Sequence, residues 1–260
     1  LDNPSEELNP LDMMLSALGS CGVFVAERAA QELDIALEGA AATVEGDLDP
    51  SGVRTGEVNP RIQQFRVYLE LPGANPGQQN RIVDNFEQRC PVYTTLSRAA
   101  EVEIFTDGEP GSQATEGLAT ATARIVLSNQ PGRAIASARG NHWVIDSVPP
   151  LEGPNEERNP LDMMLGALAT CGTFIYEHVA LTEGIPLTAI AATVEGDLYP
   201  AGVATGEINP RLRAFRVHML LSGATEAEAE LMASEFQTRC PIYTTLVRAA
   251  PIEITTDLGD

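Results

Sequence analysis

The sequence predicts an α+β protein made of one domain written twice, with a long buried helix at the heart of each copy. Three observations predict it. Position n matches position n+150 without a gap from Leu1 to about Asp107, as in Pro10/Pro160, Cys21/Cys171, Gly46/Gly196, Pro60/Pro210 and Cys90/Cys240. A repeat this long is a duplicated domain and not a solenoid unit. Each copy opens on an apolar helical stretch, NPLDMMLSALGSCGVFVAERAA at 9–30 and NPLDMMLGALATCGTFIYEHVA at 159–180. Short strand patterns and a second, amphipathic helix follow in both. The expected units are residues 1–107 and 113–260.

The elements follow in order. Asn9 is a good N-cap, Pro10 suits the first helical position, and Asp12 can close a capping box. Leu11, Met14, Leu15, Leu18, Cys21, Phe24 and Val25 leave hardly any polar face before Glu27. A helix that is apolar nearly all round is buried, so Cys21 and Cys171 are expected inside a core or in a cleft cut into one. The helix is expected to run to about Leu33. A strand follows at 41–48, AATVEGDL, and recurs unchanged at 191–198. Residues 49–60, DPSGVRTGEVNP, are rich in turn formers and predict a hairpin connection with room for a short extended piece. Residues 61–71 put Phe65, Val67, Leu69 and Leu71 on one face, which predicts a half-buried strand with its other face wet.

PGANPG predicts a loop, and 78–89 a helix with Ile82, Val83 and Phe86 inward. Pro91 disfavours helical geometry in the residue before it, so this helix breaks at Cys90 and a new one starts at Pro91. That places Cys90 at a helix N-cap. Residues 101–106 close the copy as a strand, matched by 251–256, and 107–117 form a linker. Residues 118–148 then predict two or three strands, LATATARIVL, GRAIASA and NHWVIDSV, that the first copy lacks. Either the protein is longer or the first copy takes its missing strands from elsewhere; trimming or disorder at the start is the favoured expectation.

Composition bounds the function. The chain has 260 residues, room for two domains, and 43% of them are hydrophobic, enough for a core. A net charge of -21 argues against nucleic acid, whose binding needs a basic footprint. All 16 basic residues are arginine, and an acidic, lysine-free surface suits solubility in high salt, where charge repulsion is screened. No run of 18 apolar residues predicts a membrane span, and no signal peptide is recognisable, so a cytoplasmic protein without a membrane partner is expected. Four cysteines do not make a disulfide scaffold.

A buried cysteine is usually a small hydrophobe. Here, however, all four cysteines occupy two positions, and both positions are kept in both copies. Cys90 and Cys240 also have surroundings that favour thiolate, a helix N-terminus and the adjoining Arg89 or Arg239. If the fold brings Cys21 beside Cys90, the pair can attack an O–O bond, pass through a sulfenic acid and close as a disulfide. A metal site is the rival, but two cysteines alone suit zinc poorly, and His142, His178 and His218 have no repeat partners. A histidine-based hydrolase fails for the same reason. Glu27, Glu57 and Arg66 are retained in both copies; a place in a site is one reading, and surface or inter-copy salt bridges are the favoured expectation.

Taken together, the proline-led NPLDMMLSALGSC helix, the strand pair after it and RCPVYTTL on a second helix resemble the OsmC/Ohr family of thiol peroxidases. The resemblance covers essentially the whole chain as two fused copies, the first without its N-terminal strands. It implies two central buried helices wrapped by antiparallel sheets, with the intertwined homodimer of the family made covalent as a pseudo-dimer. It implies that Cys21 and Cys171 attack organic hydroperoxides and that Cys90 and Cys240 resolve them as disulfides. No cofactor is implied; a small thiol or a lipoyl-type dithiol reduces the enzyme.

The hydroperoxide-resistance branch carries glutamate directly after the NP, where this sequence has Leu11 and Leu161, with Asp12 and Asp162 one position later. That branch also uses an arginine from its N-terminal strands. Arg124 and Arg139 are the candidates in the second copy, Arg139 being carried forward, and the first copy offers neither. The expectation is thus a thiol-dependent peroxidase in stress defence. The alternatives are a pseudo-dimer that binds or senses a thiol-reactive or hydrophobic ligand, and a structural protein with inert thiols. Whether the chain self-associates further is left open.

Overall fold

The computed structural model describes residues 8–111 and 115–259. Helix α1 (Pro10–Glu32) starts on the predicted capping box: the Asp12 amide donates to the Asn9 side chain at 2.8 Å, and the Asn9 amide donates to the Asp12 carboxylate at 3.2 Å. Its twin α5 (Pro160–Glu183) is capped in the same way by Asn159 and Asp162. Both helices are long and apolar enough to cross a membrane by length and composition alone. Instead they pack against each other and against the sheets, as their all-round apolar surfaces require.

The first sheet runs β3-β2-β1-β4-β5-β6. Strand β1 (Ala41–Leu48) pairs antiparallel with β2 (Gln64–Glu70), and β2 pairs parallel with β3 (Glu101–Phe105). The turn-rich 49–60 stretch holds a short helix, α2 (Pro50–Thr55), in place of the expected extended hairpin connection. Asp49 caps it by accepting from the Ser51 amide, and Gly56 ends it at φ 70. Helix α3 (Pro76–Arg89) stops at Cys90, and α4 (Pro91–Leu96) begins at once, as the proline demanded.

Strands β4 (Ala119–Leu127), β5 (Arg133–Ala138) and β6 (Asn141–Asp146) cross from one copy to the other. Expected as the opening of the second copy, they lie in the first copy's sheet, β4 pairing antiparallel with β1 from Ala41↔Val126 to Leu48↔Ala119. The first copy therefore does take strands from elsewhere. The expectation about what happens at the start of the chain, and the boundary at residue 113, fall outside the described residues. A physical reason for the close docking is visible at Gly19, where a Cβ would stand 2.4 Å from Ile125 Cδ1, so the glycine makes room for the Ile125 side chain of β4 on α1.

The second copy repeats the rest: β7 (Ala189–Asp197), α6 (Pro200–Thr205), β8 (Ala214–Ser222), α7 (Glu226–Arg239), α8 (Pro241–Leu246) and β9 (Ile252–Gly259). Its sheet has three strands, β7-β8-β9. Reciprocal contacts relate the copies by a pseudo-two-fold: Ile62 N donates to Thr245 Oγ1 at 2.8 Å, and Leu212 N donates to Thr95 Oγ1 at 2.9 Å.

The predicted wet face of β2 is dry. Arg66 is fully buried between Glu45 and Asp47, neither on the surface nor between copies, and the two carboxylates accept from Gly111, Thr115 and Thr120. In β8 the prediction holds, and Arg216 makes the same pairs in the open.

Candidate functional site

Cys21 lies midway along α1, and the next residue, Gly22, is what lets another helix reach it. A Cβ on Gly22 would stand 3.1 Å from Phe86 Cζ, so α3 lies close against α1 and delivers its C-cap residue, Cys90, to the cysteine. Cys90, at φ -83 and ψ 114, turns its side chain out of the α3 spiral and caps α4. Cys21 and Cys90 are disulfide-bonded with their Cα atoms 6.1 Å apart, and Cys171 and Cys240 match them at 6.1 Å. Gly172 stands against Phe236 as Gly22 does against Phe86.

The sulfur of Cys90 accepts from the Tyr93 amide at 3.2 Å, which realises the predicted N-cap. The expected arginine is directed elsewhere. Arg89 binds Glu32 and the Ala204 carbonyl of the other copy, and Arg239 donates to the Val53 carbonyl and to Glu235. Both arginines tie the copies together.

Cys21 opens on a cavity of about 370 Å³ whose walls are mostly apolar, among them Phe24, Val25, Pro131, Leu151, Leu161 and Val203. Cys90 is completely buried and does not line it. The walls come from α1 and the start of α4, from the turns around β5 and β6, and, in the other copy, from the start of α5 and the β7–α6 stretch. At one side stand Glu27 and Arg28. Burial pushes the Glu27 carboxyl up, against a hydrogen bond from the Gly132 amide at 3.0 Å, and Glu152 pushes it further. Burial and then Arg89 push the Arg28 guanidinium down to about 10, and its Nη2 donates to the Val203 carbonyl at 2.7 Å. Arg28 was not foreseen in the sequence. The signal was its place seven residues after Cys21, two turns along the same helix face.

Of the two candidate arginines, Arg124 faces away on the sheet, where it pairs with Glu70 and Thr43. Arg139, in the β5–β6 turn at φ 49, binds Asp12. That pair does not line the Cys21 cavity. Met13, next to Asp12, accepts through Sδ from Thr170 Oγ1 at 3.7 Å. Glu57 is exposed. His218 lies on the surface between Thr255 and Asp257.

The family model described as OsmC-like protein matches the chain twice, over residues 3–105 and 153–255. No curated protein matches the sequence. Among solved structures, an OsmC-like protein from Mycoplasma pneumoniae is similar at 20% identity and a TM-score of 0.46, covering 53% of this chain and 96% of its own. An organic hydroperoxide resistance protein OsmC from Legionella pneumophila is 22% identical at a TM-score of 0.42, with 52% of this chain and 94% of its own covered. A third, an organic hydroperoxide resistance protein from Elizabethkingia anophelis, is 16% identical at 0.43, with coverage of 56% and 100%.

Proposed function

The chain belongs to the OsmC-like protein family, whose domain it carries twice, and from that premise we propose that it is a thiol-dependent peroxidase acting on organic hydroperoxides. The observation that carries this reading is the division of labour at the first disulfide. Cys21 reaches an apolar cavity, whereas its partner Cys90 is sealed behind it.

The chemistry follows. The Cys21 thiolate attacks the distal peroxide oxygen and the O–O bond breaks. The alkoxide leaves and takes a proton to become the alcohol, and Cys21 becomes a sulfenic acid. The Cys90 thiolate then attacks the Cys21 sulfur, hydroxide leaves as water after taking a proton, and the disulfide forms. An external dithiol, of the lipoyl type, or two small thiols return both cysteines to thiols by exchange and leave oxidised. Apolar walls favour a substrate with a hydrocarbon body over hydrogen peroxide, because burying that body supplies the binding energy. The Tyr93 amide at the Cys90 sulfur stabilises the resolving thiolate.

The test is a brief pulse of cumene hydroperoxide on the reduced protein, followed by alkylation under native conditions and mass spectrometry. The expected result is a Cys21–Cys90 bridge at near-stoichiometric peroxide. Thiols that stay reduced and alkylate only on unfolding overturn the reading. Saturable uptake of the hydroperoxide without thiol oxidation points instead to a binding protein, for which the same cavity is the supporting observation.

A further inference from the structure

We propose that five arginines gathered at the seam between the copies, Arg61, Arg98, Arg211, Arg213 and Arg248, bind a small polyanion of the phosphate type. The starting point is how this chain treats its positive charge. Among the described residues, nine of the sixteen arginines make an ion pair with a carboxylate. Arg89 and Arg239, which also tie the copies together, are of this kind. Five of the other seven stand together, and none of the five has such a partner. Arg54 and Arg81 are placed apart, on α2 and α3. With 37 acidic residues in the chain, carboxylates are not scarce.

Reciprocal packing of the copies brings the five together. Arg61 precedes Ile62, whose amide bonds Thr245, three residues before Arg248. Arg211 precedes Leu212, whose amide bonds Thr95, three residues before Arg98. Arg248 then crosses the seam, its Nε donating to the Ala99 carbonyl at 3.2 Å, next to Arg98. Arg61 and Arg211 adopt matching poses, each donating from Nη1 at 3.3 Å to the carbonyl of the residue that follows. Arg213, two residues after Arg211, stacks on Tyr199 with its guanidinium carbon 4.6 Å from the ring centre.

Charges gathered in this way repel. Burial and then Arg248 push the Arg61 guanidinium down, and burial, then Arg98 and Arg213, do the same at Arg211. Donors are also left over. A guanidinium has five N–H groups. Among the described residues Arg61, Arg211, Arg213 and Arg248 each use one, and Arg98 uses none. Arg213 Nε is buried with no hydrogen-bond partner. Arg98 and Arg248 are exposed, and Arg61 and Arg211 are half-buried beneath them in the packing, so the cluster is open to a ligand from solvent.

The chemistry selects that ligand. Guanidinium forks hold phosphate-type oxygens in bidentate pairs. A net charge of -21 repels an acidic protein or a nucleic acid, whereas a small anion responds to the charges within a Debye length, about 10 Å at 0.1 M salt. Arg61 and Arg98 belong to one copy and Arg211, Arg213 and Arg248 to the other, so a ligand with two or more anionic groups can hold both copies at once. Such a site is independent of the thiol chemistry at Cys21.

The probe is inorganic tripolyphosphate, titrated into the full chain by calorimetry at about 0.1 M salt. One ligand per chain is expected, with orthophosphate weaker by about tenfold, and a melting temperature that rises with ligand. Arg98→Gln removes an exposed side chain that holds no bond, and should weaken binding by about fivefold. Adding Arg248→Gln should weaken it further, while Arg54→Gln with Arg81→Gln should leave it unchanged. Absence of saturable heat overturns the proposal. So does equal loss in the Arg98 and control variants, orthophosphate binding as tightly as tripolyphosphate, or a melting shift that sodium chloride at the same ionic strength reproduces in full.

Discussion

Gly22 and Phe86 are in such close contact that a side-chain carbon on the glycine would sit 3.1 Å from the ring. This contact sets the spacing of α1 and α3, and with it the approach of Cys90 to Cys21. Gly22→Val should force the ring aside at a cost of about 1–3 kcal/mol, typical of overpacking a filled core. It should also slow closure of the Cys21–Cys90 bridge while leaving Cys171–Cys240 unaffected. Quantifying each bridge by mass spectrometry after timed oxidation checks this, with the second copy as the internal control. Equal slowing of both bridges would count against a local role.

Arg66 and Arg216 offer a matched pair for the energetics of burial. Removing Arg66 (Arg66→Ala) leaves the Glu45 and Asp47 carboxylates buried without their cation, which costs about 3–5 kcal/mol. Arg216→Ala breaks the same contacts in water and should cost less than about 1 kcal/mol. Urea denaturation of the two variants checks the difference. The pair also fixes an acid limb. Burial alone would raise the Asp47 carboxyl, but bonds from Arg66, Thr115 and Thr120 outweigh it and hold it well below the ordinary carboxylate range. Its stabilisation is therefore present above the unfolded value of about 3.9 and is lost as pH falls below it toward the folded value.

These two sites show what the sequence could and could not disclose. The capping boxes, the break at Cys90 and the repeat were legible because each rests on local chemistry: an Asn with Asp three residues on, a proline after a cysteine, a constant offset. The buried state of Arg66 was not legible, because β1 and β7 share one sequence and differ only in what docks beside them. The same holds for β4–β6, whose pairing with β1 is a tertiary arrangement that no local pattern in 118–148 announces. The two cysteine positions were found by their recurrence in both copies. Arg28 was missed because its twin is His178, and recurrence is blind to a group present in one copy only.

Glu27 should behave oppositely to Asp47. Burial beside the cavity raises its carboxyl, so the ionised form is penalised in the folded state. It therefore subtracts stability above its folded value and subtracts none once pH falls below the unfolded value of about 4.3. Glu27→Gln keeps an acceptor for the Gly132 amide and removes the charge. The variant should melt higher than the parent at neutral pH, with the advantage shrinking to nothing near pH 4. Thermal melts across that range check the sign, and a constant difference would show that the charge is not the cause.

The roles proposed for Cys21 and Cys90 separate in single variants. Cys21→Ser removes the sulfur that faces the cavity and should abolish peroxide consumption at the first site, with a loss on the order of a hundredfold or more for a removed nucleophile. Cys90→Ser leaves attack intact but takes away the resolving thiol. One turnover should then leave a sulfenic acid on Cys21, trapped by dimedone and read as a mass increase on the peptide that contains it. Because Cys90 does not line the cavity, the reverse labelling, dimedone on Cys90 in the Cys21→Ser variant, is not expected. Both measurements need the second pair silenced by Cys171→Ser and Cys240→Ser, so that only the first site reports. Adduct on Cys90 in place of Cys21 would exchange the two roles and place the peroxide on the far side of the disulfide.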